Sequence, residues 1–438
     1  MKTIIIGAGI TGLSCAYHLN NRTDYLVFER ENTAGGLCRS ITQDNFTFDY
    51  TGHAIHVRNE YAKQLVNKLL KGNINTVNRN ARIYSNNIFV QYPFQANLYG
   101  LPENVVRDCL TGLVDSYLKY GKGKVDTGLS FREWVLRVFG RGFGKHFFYP
   151  YNTKLWSVHP DKMTAKWAGD FVPRPKMEEV IIGAIEPQNK KFGYNINFYY
   201  PGQGGIQSLI NELFKSVNNI NFNTEVMRVD PAKKTVYTDS GEHNYEKLVS
   251  TMPLPELLDK IQRLPAGIND AGKKLAYASV LCINLGIKPK KLNKNHKFSW
   301  VYFPEKQFPF YRVGFYNNFS GKSVPPGCIS LYIELSYPGK PGNNIPELTT
   351  GLYNRVLSGL RECGIISKGD EIITRNVLPI KYAYVVYDGY REQALNKILA
   401  YLNKNNIYSI GRYGAWKYSY IEESILDGKA VAEKLCRK

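Results

Sequence analysis

A glycine-rich turn between a short apolar strand and a helix constrains this chain more than any other feature. The predicted strand Thr3–Ile6 leads into the segment 7–12, which reads Gly-Ala-Gly-Ile-Thr-Gly, and a helix is predicted to continue to Leu19. A second predicted strand, Tyr25–Phe28, ends at Glu29. This order of strand, glycine turn, helix, strand and acid is typical of a dinucleotide-binding βαβ unit.

Each glycine of that pattern, and the acid that follows, has a physical reason. Gly7 permits the tight turn, Gly9 lets the backbone approach a pyrophosphate, and Gly12 lets the helix and the strand pack closely. The N-terminus of the helix offers free N–H groups to the phosphates. Glu29 can accept hydrogen bonds from a ribose diol. The sequence therefore predicts an α/β, Rossmann-type domain that binds a dinucleotide.

The next segment favours FAD as that dinucleotide. A second glycine pair, Gly35-Gly36, stands just beyond the ribose-binding acid, and Arg39 follows it and is assigned to the same site. The pair resembles that of the flavoenzymes of the amine oxidase, phytoene desaturase and UDP-galactopyranose mutase group, in which it brings the backbone close to FAD. A nicotinamide enzyme has little need of it.

Two later segments resemble the remaining FAD contacts of this group. A hairpin is predicted from Asn221–Val229 and Thr235–Thr238, with the backbone near Val226 against the adenine. A strand over 407–410 leads into Gly411-Arg412 and then into a terminal helix from about Glu422. The resemblance implies that this last segment closes the FAD site.

The length of 438 residues predicts two or three domains. The predicted architecture is a discontinuous Rossmann-type FAD-binding domain, a helical insertion and a mixed β-sheet substrate domain. Helices are expected at Glu103–Tyr120 and Phe131–Phe148, and strands at 280–287, 299–303, 311–315 and 329–334. The FAD-binding domain is assigned to 1–60, 200–255 and 405–438, the helical insertion to 100–190, and the substrate domain to 61–99 and 256–404.

Charge and cysteine usage limit the classes of partner. The formal charge of +20 favours anionic ligands, but the basic residues are dispersed, so nucleic acid is not a predicted partner. Seven cysteines lie scattered without a CxxC pair, which argues against a disulfide framework or a metal site and indicates the cytoplasm. The sequence contains no run of about twenty apolar residues, so no transmembrane helix is predicted.

Six short motifs resemble, in order, those of eukaryotic-type UDP-galactopyranose mutases. Their spacing also follows that family over nearly the whole chain. The motifs are Gly52-His53, Val-Gln-Tyr-Pro-Phe-Gln-Ala-Asn at 90–97, Pro-Tyr-Asn-Thr-Lys-Leu-Trp at 150–156, Lys-Met through Trp at 162–167, Val-Tyr-Phe-Pro-Glu at 301–305 with Phe-Tyr-Arg at 310–312, and Gly-Arg through Trp-Lys-Tyr at 411–418.

The resemblance implies a reaction as well as a fold. In this family reduced flavin N5 attacks the anomeric carbon of a UDP-sugar, UDP leaves and returns, and the pyranose and furanose rings interconvert with no net redox change. The implied substrate is UDP-galactopyranose or another nucleotide sugar. The implied reductant of FAD is NAD(P)H or an external donor. An oligomer is compatible with the sequence.

The resemblance also assigns site residues. Arg312, Tyr302, Tyr418 and Tyr384 would hold the diphosphate, whose charge rises as the C–O bond breaks. Further assignments place Tyr92 and Gln95 at the uridine, Trp156 on the substrate side with packing as its alternative, His53 beside the flavin ring, and Arg412 at FAD and the leaving phosphate. The catalytic set is therefore His53, Arg312, Arg412 and Tyr418.

Three departures from the family pattern affect this assignment. Phe171 stands where the family has a second arginine, and Arg174 is the candidate to replace it. The run 419–424 differs from the family's usual polar run. Arg79 matches an arginine linked to nicotinamide reduction of the flavin, but Ala81 replaces its nearby serine.

Two other functions stay open at this point. The first is an FAD-dependent oxidoreductase of the amine oxidase, protoporphyrinogen oxidase or desaturase type, which an apolar tunnel beside the flavin would favour. The second is a non-catalytic flavoprotein or membrane-surface scaffold, which the basic charge allows. A buried cluster of arginine and tyrosine groups would favour the mutase.

Overall fold

The computed structural model describes residues 2–121, 123, 125–188, 190–193, 196–339 and 345–437. The strands are β1 (Thr3–Ile6), β2 (Tyr25–Phe28), β3 (Ser40–Gln43), β4 (Phe46–Asp49), β5 (Asn75–Asn78), β6 (Ala81–Ser85), β7 (Ile88–Gln91), β8 (Asn197–Tyr200), β9 (Ile220–Asn221), β10 (Val226–Asp230), β11 (Thr235–Thr238), β12 (Gly241–Asn244), β13 (Lys247–Ser250), β14 (Tyr277–Lys288), β15 (Trp300–Tyr302), β16 (Arg312–Phe315), β17 (Ile329–Gly339), β18 (Glu371–Val385) and β19 (Ile407–Ser409). The α-helices are α1 (Ile10–Leu19), α2 (Glu60–Leu70), α3 (Glu103–Tyr120), α4 (Phe131–Phe143), α5 (Tyr149–Trp156), α6 (Met177–Ile185), α7 (Gln207–Phe214), α8 (Leu254–Lys260), α9 (Ala266–Lys273), α10 (Thr350–Glu362), α11 (Arg391–Lys404), α12 (Gly411–Gly414) and α13 (Ile421–Cys436).

A parallel five-stranded sheet contains the predicted βαβ unit. Its order is β19-β13-β1-β2-β9, so the first strand lies at the centre. The β-branched side chains of Ile4 and Ile5 point to opposite faces, and both are fully buried. β1 pairs with β2 and with β13, and β13 pairs in turn with β19, so the N-terminal, middle and C-terminal parts of the chain meet in one sheet.

A mixed seven-stranded sheet forms the second large layer, as the α/β fold class predicts. Its order is β18-β14-β17-β16-β15-β6-β7, in which only β15 and β6 run parallel. The register sets Tyr302 opposite Arg312 and Arg312 opposite Glu334. Because directly paired residues share one face of a sheet, these three side chains form one cross-strand row.

The predicted helix over 131–148 is wrong as a single helix. Gly140 has a φ of +82°, and α4 gives way to a π-helical turn over Gly144–Phe148. A Cβ on Gly140 would lie 2.0 Å from the carbonyl oxygen of Gly112. The close approach of α3 and α4 therefore requires glycine there, and glycine tolerates the positive φ that interrupts the helix.

Two strand predictions also need correction. Residues 220–221 pair with β2 in the parallel sheet, so the predicted hairpin begins only at Val226 and includes a third strand, β12. The long strand β18 was not predicted, because Pro379 interrupts its apolar pattern. It lies at the edge of its sheet, where a missing N–H donor is tolerated.

Two features are absent from the part of the chain that the structure describes. In these ranges no helix is both long and apolar enough to cross a membrane. The same ranges hold no group of three or more His, Cys, Asp or Glu side chains that could bind a metal ion. The cysteines are all free thiols.

Candidate active site

The turn between β1 and α1 has the close packing that the glycine pattern predicts. Gly7 has a φ of +96°, a conformation that suits glycine. A Cβ on Gly12 would lie 1.9 Å from the carbonyl oxygen of Gly7. The helix therefore begins directly against the strand, with its first N–H groups at the mouth of the turn.

Glu29 is held at this turn by backbone donors. Its Oε2 accepts from the Ala8 N–H at 2.7 Å and its Oε1 from the Glu31 N–H at 3.0 Å, and the residue is buried. A carboxylate oxygen accepts more than one hydrogen bond, so both oxygens keep capacity for a diol. The fixed orientation suits a ribose acceptor.

The second glycine pair lies against the first turn. The Gly35 N–H donates to the Ala8 carbonyl at 2.9 Å, and Gly9 and Gly35 form an isolated parallel bridge. A Cβ on Gly36 would lie 3.4 Å from the Cα of Gly9. Arg39 braces the pair by donating to the Gly36 carbonyl at 2.8 Å. Two stretches of bare backbone thus lie side by side, which fits the cradle of an extended dinucleotide.

The middle and C-terminal segments reach the same place. The Thr224 N–H donates to the Glu29 carbonyl at 2.8 Å, which positions the chain just before buried Val226. Gly411 has a φ of +80°, and a Cβ there would lie 2.6 Å from Oγ1 of Thr11 in α1. Glu29, the start of α1 and the 411–412 segment are therefore the parts of the chain that would hold a flavin dinucleotide.

Arg412 points from this cradle into a group of tyrosines. It donates to the carbonyls of Ser419 and Ala383, the latter at 2.9 Å. Its guanidinium carbon lies 5.1 Å from the ring centroid of Tyr418 and 5.7 Å from that of Tyr384. Burial alone would lower the pKa of Arg412, but the neighbouring tyrosines outweigh burial and raise it. Arg412 is therefore a fixed cation.

Arg312 is held by a carboxylate that sequence reasoning missed. Nε and Nη2 of Arg312 both donate to the fully buried Glu334, the second at 2.8 Å. Burial alone would lower the pKa of Arg312, but Glu334 raises it above the usual value. A guanidinium has five N–H donors, so three remain for an anionic ligand. One sequence signal could have identified Glu334, because it is the lone acid in the apolar run 329–335.

Aromatic rings connect the two arginines. The Trp156 ring centroid lies 5.5 Å from Tyr384 and 5.8 Å from Tyr418, and those tyrosines stack at 6.2 Å. Burial raises the pKa of Tyr302 and Tyr384, so their hydroxyls stay protonated and can donate to phosphate at neutral pH. The side chains assigned to the diphosphate thus come together in the structure.

The residues assigned to the uridine lie farther along this group. The Tyr92 ring lies 5.4 Å from Tyr302 and 4.8 Å from the guanidinium carbon of Arg79. Gln95 is buried, and its side-chain amide donates to the Pro173 carbonyl at 2.6 Å. Their role in binding uridine stays a prediction.

The departures from the family pattern have clear positions. Phe171 packs edge-on against Tyr418 at 4.9 Å, so an apolar ring occupies the side of that tyrosine. Arg174 is exposed, with its guanidinium 4.9 Å from the Trp134 ring centroid. Whether it contacts phosphate stays a prediction.

Two further residues that sequence reasoning missed support Tyr418. The Tyr418 N–H donates to the hydroxyl of Tyr387 at 2.9 Å. Nε of Arg391 donates at 2.9 Å to the carbonyl of Trp416, a residue with a φ of +50°. No local sequence signal marks these contacts, because they join the start of α11 and the segment that follows β18 to the C-terminal segment.

His53 lies near both arginines and is neutral at pH 7. Its Nδ1 donates to the Thr51 carbonyl at 3.1 Å, which leaves Nε2 as an acceptor. Burial, and then the charges of Arg412 and Arg312, lower the pKa of His53 to about 4. The His53 imidazole is thus uncharged at neutral pH, and the arginines carry the positive charge.

This pKa predicts how stability depends on pH. Between about pH 6.5 and 4 the unfolded state binds a proton at His53 that the folded state does not, so acidification favours unfolding. We expect His53→Asn, which does not titrate, to lose less stability than the wild type across this range. Urea unfolding at several pH values measures the difference. Parallel losses in both proteins would contradict the lowered pKa.

The glycine-rich cradle around α1 and the arginine–tyrosine cluster lie side by side and are joined by Arg412. A family model for flavin containing amine oxidoreductases matches residues 10–436. The chain therefore belongs to the flavin containing amine oxidoreductase family, and its cofactor is a flavin.

The individual proteins that this chain resembles have two kinds of activity in their names, that of a mutase and that of an oxidase. The solved structure of a reduced UDP-galactopyranose mutase superposes with a TM-score of 0.92 at 28% identity and covers 99% of this chain and 93% of its own. A candidate protoporphyrinogen oxidase from Exiguobacterium sp. 255-15 has a TM-score of 0.74 at 15% identity, covering 99% and 98% of the two chains. A coproporphyrinogen III oxidase of Staphylococcus aureus (strain NCTC 8325 / PS 47) is 24% identical over 330 residues, which cover 67% of this chain and 68% of that protein. The inferred resemblance to UDP-galactopyranose mutases within the amine oxidase-like group is confirmed.

Proposed function

We propose that this protein is an FAD-dependent nucleotide-sugar mutase that interconverts pyranose and furanose rings without net redox change. The observation that most supports this proposal is the cross-strand row of Tyr302, Arg312 and Glu334. Tyr384 and Tyr418 lie next to this row. Such a cluster suits a diphosphate, because guanidinium and hydroxyl groups donate strong hydrogen bonds to phosphate oxygens. UDP-galactopyranose and UDP-galactofuranose are the proposed pair, supported by the 28% identity to a mutase of that name.

The proposed work of the chain is to bind and retain the leaving diphosphate. Arg312 keeps three N–H donors beyond its contacts with Glu334, and the tyrosine hydroxyls add further donors. Their partly buried setting strengthens each charge-assisted bond relative to water. The Glu334 contact fixes the guanidinium before the substrate arrives, which lowers the entropy cost of binding.

FAD is the proposed cofactor. When bound and reduced, it would supply the nucleophile at the anomeric carbon. Glu29, Gly9 and Gly36 would hold its ribose and pyrophosphate, and Arg412 would donate to the cofactor and to the leaving phosphate. The reductant, NAD(P)H or an external donor, and a cytoplasmic location belong to the same proposal.

Turnover of furanose nucleotide sugars tests the function directly. Purified protein is incubated with UDP-galactofuranose and, separately, UDP-arabinofuranose, with and without dithionite, and the products are separated by chromatography. We expect isomerisation only with reduced flavin and no stoichiometric consumption of reductant. A protein that retains flavin yet neither turns over these sugars nor binds UDP would contradict the proposal.

A redox enzyme of the same family is the second candidate. The sequence similarity to a coproporphyrinogen III oxidase over 330 residues favours it. Oxygen consumption with coproporphyrinogen III distinguishes the two, because the mutase reaction consumes no oxygen. A buried cluster of cations and hydroxyls is a poor environment for an apolar or amine substrate, but it does not exclude a carboxylate-bearing porphyrinogen. We place this candidate second because the similarity to the mutase is greater, at 28% identity over 99% of this chain against 24% identity over 67% for the coproporphyrinogen III oxidase.

Loss of the Tyr418 hydroxyl provides a graded test of the diphosphate site. We expect Tyr418→Phe to weaken UDP binding by about 1.5–3 kcal/mol, the contribution of one hydrogen bond to a charged group. Isothermal titration with UDP measures the change. Tyr99→Phe is the matched control, because Tyr99 is 52% exposed. Equal affinity in both variants would place Tyr418 outside the site.

A further inference from the structure

One lysine outside the arginine–tyrosine cluster makes three hydrogen bonds to a single loop. Nζ of Lys154, on helix α5, donates to the carbonyls of Phe303 at 2.7 Å, Glu305 at 3.0 Å and Phe310 at 2.6 Å. An ammonium has three donors and no acceptor capacity, so these contacts use all of them. All three acceptors lie in the segment 303–311.

This segment joins the two strands that carry Tyr302 and Arg312. Tyr302 is the last residue of β15 and Arg312 the first residue of β16, and they are directly paired. Movement of the segment would therefore displace both side chains. The Phe303 N–H donates to the Tyr311 carbonyl at 2.9 Å, which closes the base of the loop.

The same short helix contacts the cluster at two other points. The ring of Tyr151 lies 5.3 Å from that of Tyr302, and the ring of Trp156 lies 5.5 Å from Tyr384. Helix α5 thus contacts the rings of the site through Tyr151 and Trp156, and the loop behind them through Lys154. A shift of the loop relative to α5 would change the distance from Arg312 to the tyrosines.

We propose that Lys154 is a positioning residue, which holds the 303–311 segment so that Tyr302 and Arg312 meet the diphosphate of the substrate. The proposal rests on the proposed mutase function. Lys154 acts through the backbone of that segment and contributes no group to the reacting atoms. Phe303 and Phe310 are fully buried, so without Lys154 their carbonyls would lose a donor where water cannot readily replace it.

The protonation state of Lys154 sets the conditions of the test. Burial lowers the pKa of Lys154 to about 7, while the Glu305 carboxylate opposes that shift. The three carbonyl acceptors favour the ammonium form, which alone has three donors. Assays at pH 6.5 therefore populate the form that makes all three contacts.

Two variants and a control test the proposal. Lys154→Met keeps the length of the side chain and removes every donor, and Lys154→Gln keeps two donors. Lys166→Met is the control, because Lys166 pairs with exposed Glu392 away from the segment. In the flavin-loaded protein we expect Lys154→Met to lower kcat by about 100-fold, as displaced reacting groups do, with weaker UDP binding, unchanged flavin content and an intermediate effect for Lys154→Gln.

Hydrogen–deuterium exchange adds a readout that needs no substrate. We expect faster exchange over 303–311 in Lys154→Met and unchanged exchange over 90–97. A lower Tm with wild-type kcat, UDP affinity and segment exchange would show a merely structural lysine and overturn the proposal. If Lys154→Met does not fold, Lys154→Gln decides by the same measurements. If the wild type itself neither binds UDP nor isomerises sugars, the mutase function fails, and segment exchange still decides whether Lys154 holds the loop.

Discussion

Arg312→Ala is expected to abolish turnover and to weaken UDP binding by about 2–5 kcal/mol, the cost of truncating one member of a buried charge contact. The diphosphate would lose its best-oriented donor group. The structure adds a second consequence, because Glu334 is fully buried and donation from Arg312 compensates its charge. Leaving that carboxylate unpaired is expected to destabilise the fold by about 3–5 kcal/mol. Titration with UDP and urea unfolding measure the two effects.

A double variant separates binding from stability. Arg312→Met with Glu334→Gln removes both charges and keeps similar side-chain volumes. We expect this protein to recover much of the lost stability while its UDP affinity stays low. Arg132→Met is the matched control, since Arg132 pairs with Asp161 at an exposed site and such pairs contribute about 0–1 kcal/mol. Wild-type UDP affinity in the double variant would exclude Arg312 from the diphosphate site.

Gly12→Ala is expected to abolish retention of the flavin. The added Cβ would lie 1.9 Å from the carbonyl oxygen of Gly7, which is backbone and cannot rotate away. Helix α1 would have to move off strand β1, and its first N–H groups would leave the position that a pyrophosphate needs. The ratio of flavin absorbance to protein absorbance after purification measures the loss.

A glycine elsewhere supplies the control for this substitution. Gly351 lies in the first turn of α10, and a Cβ there would meet nothing within 4 Å. We expect Gly351→Ala to retain flavin and to be more stable by about 0.5–1 kcal/mol, because alanine loses less conformational entropy in a helix. Flavin retention equal to wild type in Gly12→Ala would contradict the close packing at the turn.

Local patterns predicted the elements of the cofactor cradle well. The strand Thr3–Ile6, the helix to Leu19 and the strand Tyr25–Phe28 have the predicted bounds. Glycine turns and apolar strands depend on neighbours within a few residues, so their signal is complete in a short window. The helix Glu103–Tyr120 was predicted for the same reason.

The secondary-structure predictions that were wrong or missing concern places where segments far apart in the sequence meet. Gly140 interrupts a helix because α3 approaches it, and strand β18 tolerates Pro379 because it lies at a sheet edge. Neither condition is visible in the local pattern. The assigned diphosphate residues came from resemblance across several motifs, and their individual roles stay predictions.

By itself the sequence determined a dinucleotide-binding βαβ unit and, through motif resemblance, its relation to flavin-dependent mutases. Only the tertiary structure decided that Glu334 accepts from Arg312, that Arg412 meets Tyr384 and Tyr418, and that Lys154 donates to three carbonyls of the 303–311 segment. These contacts follow from strand register and from the packing of α5 and the C-terminal segment. Such contacts join residues far apart in the chain, and no short pattern specifies them.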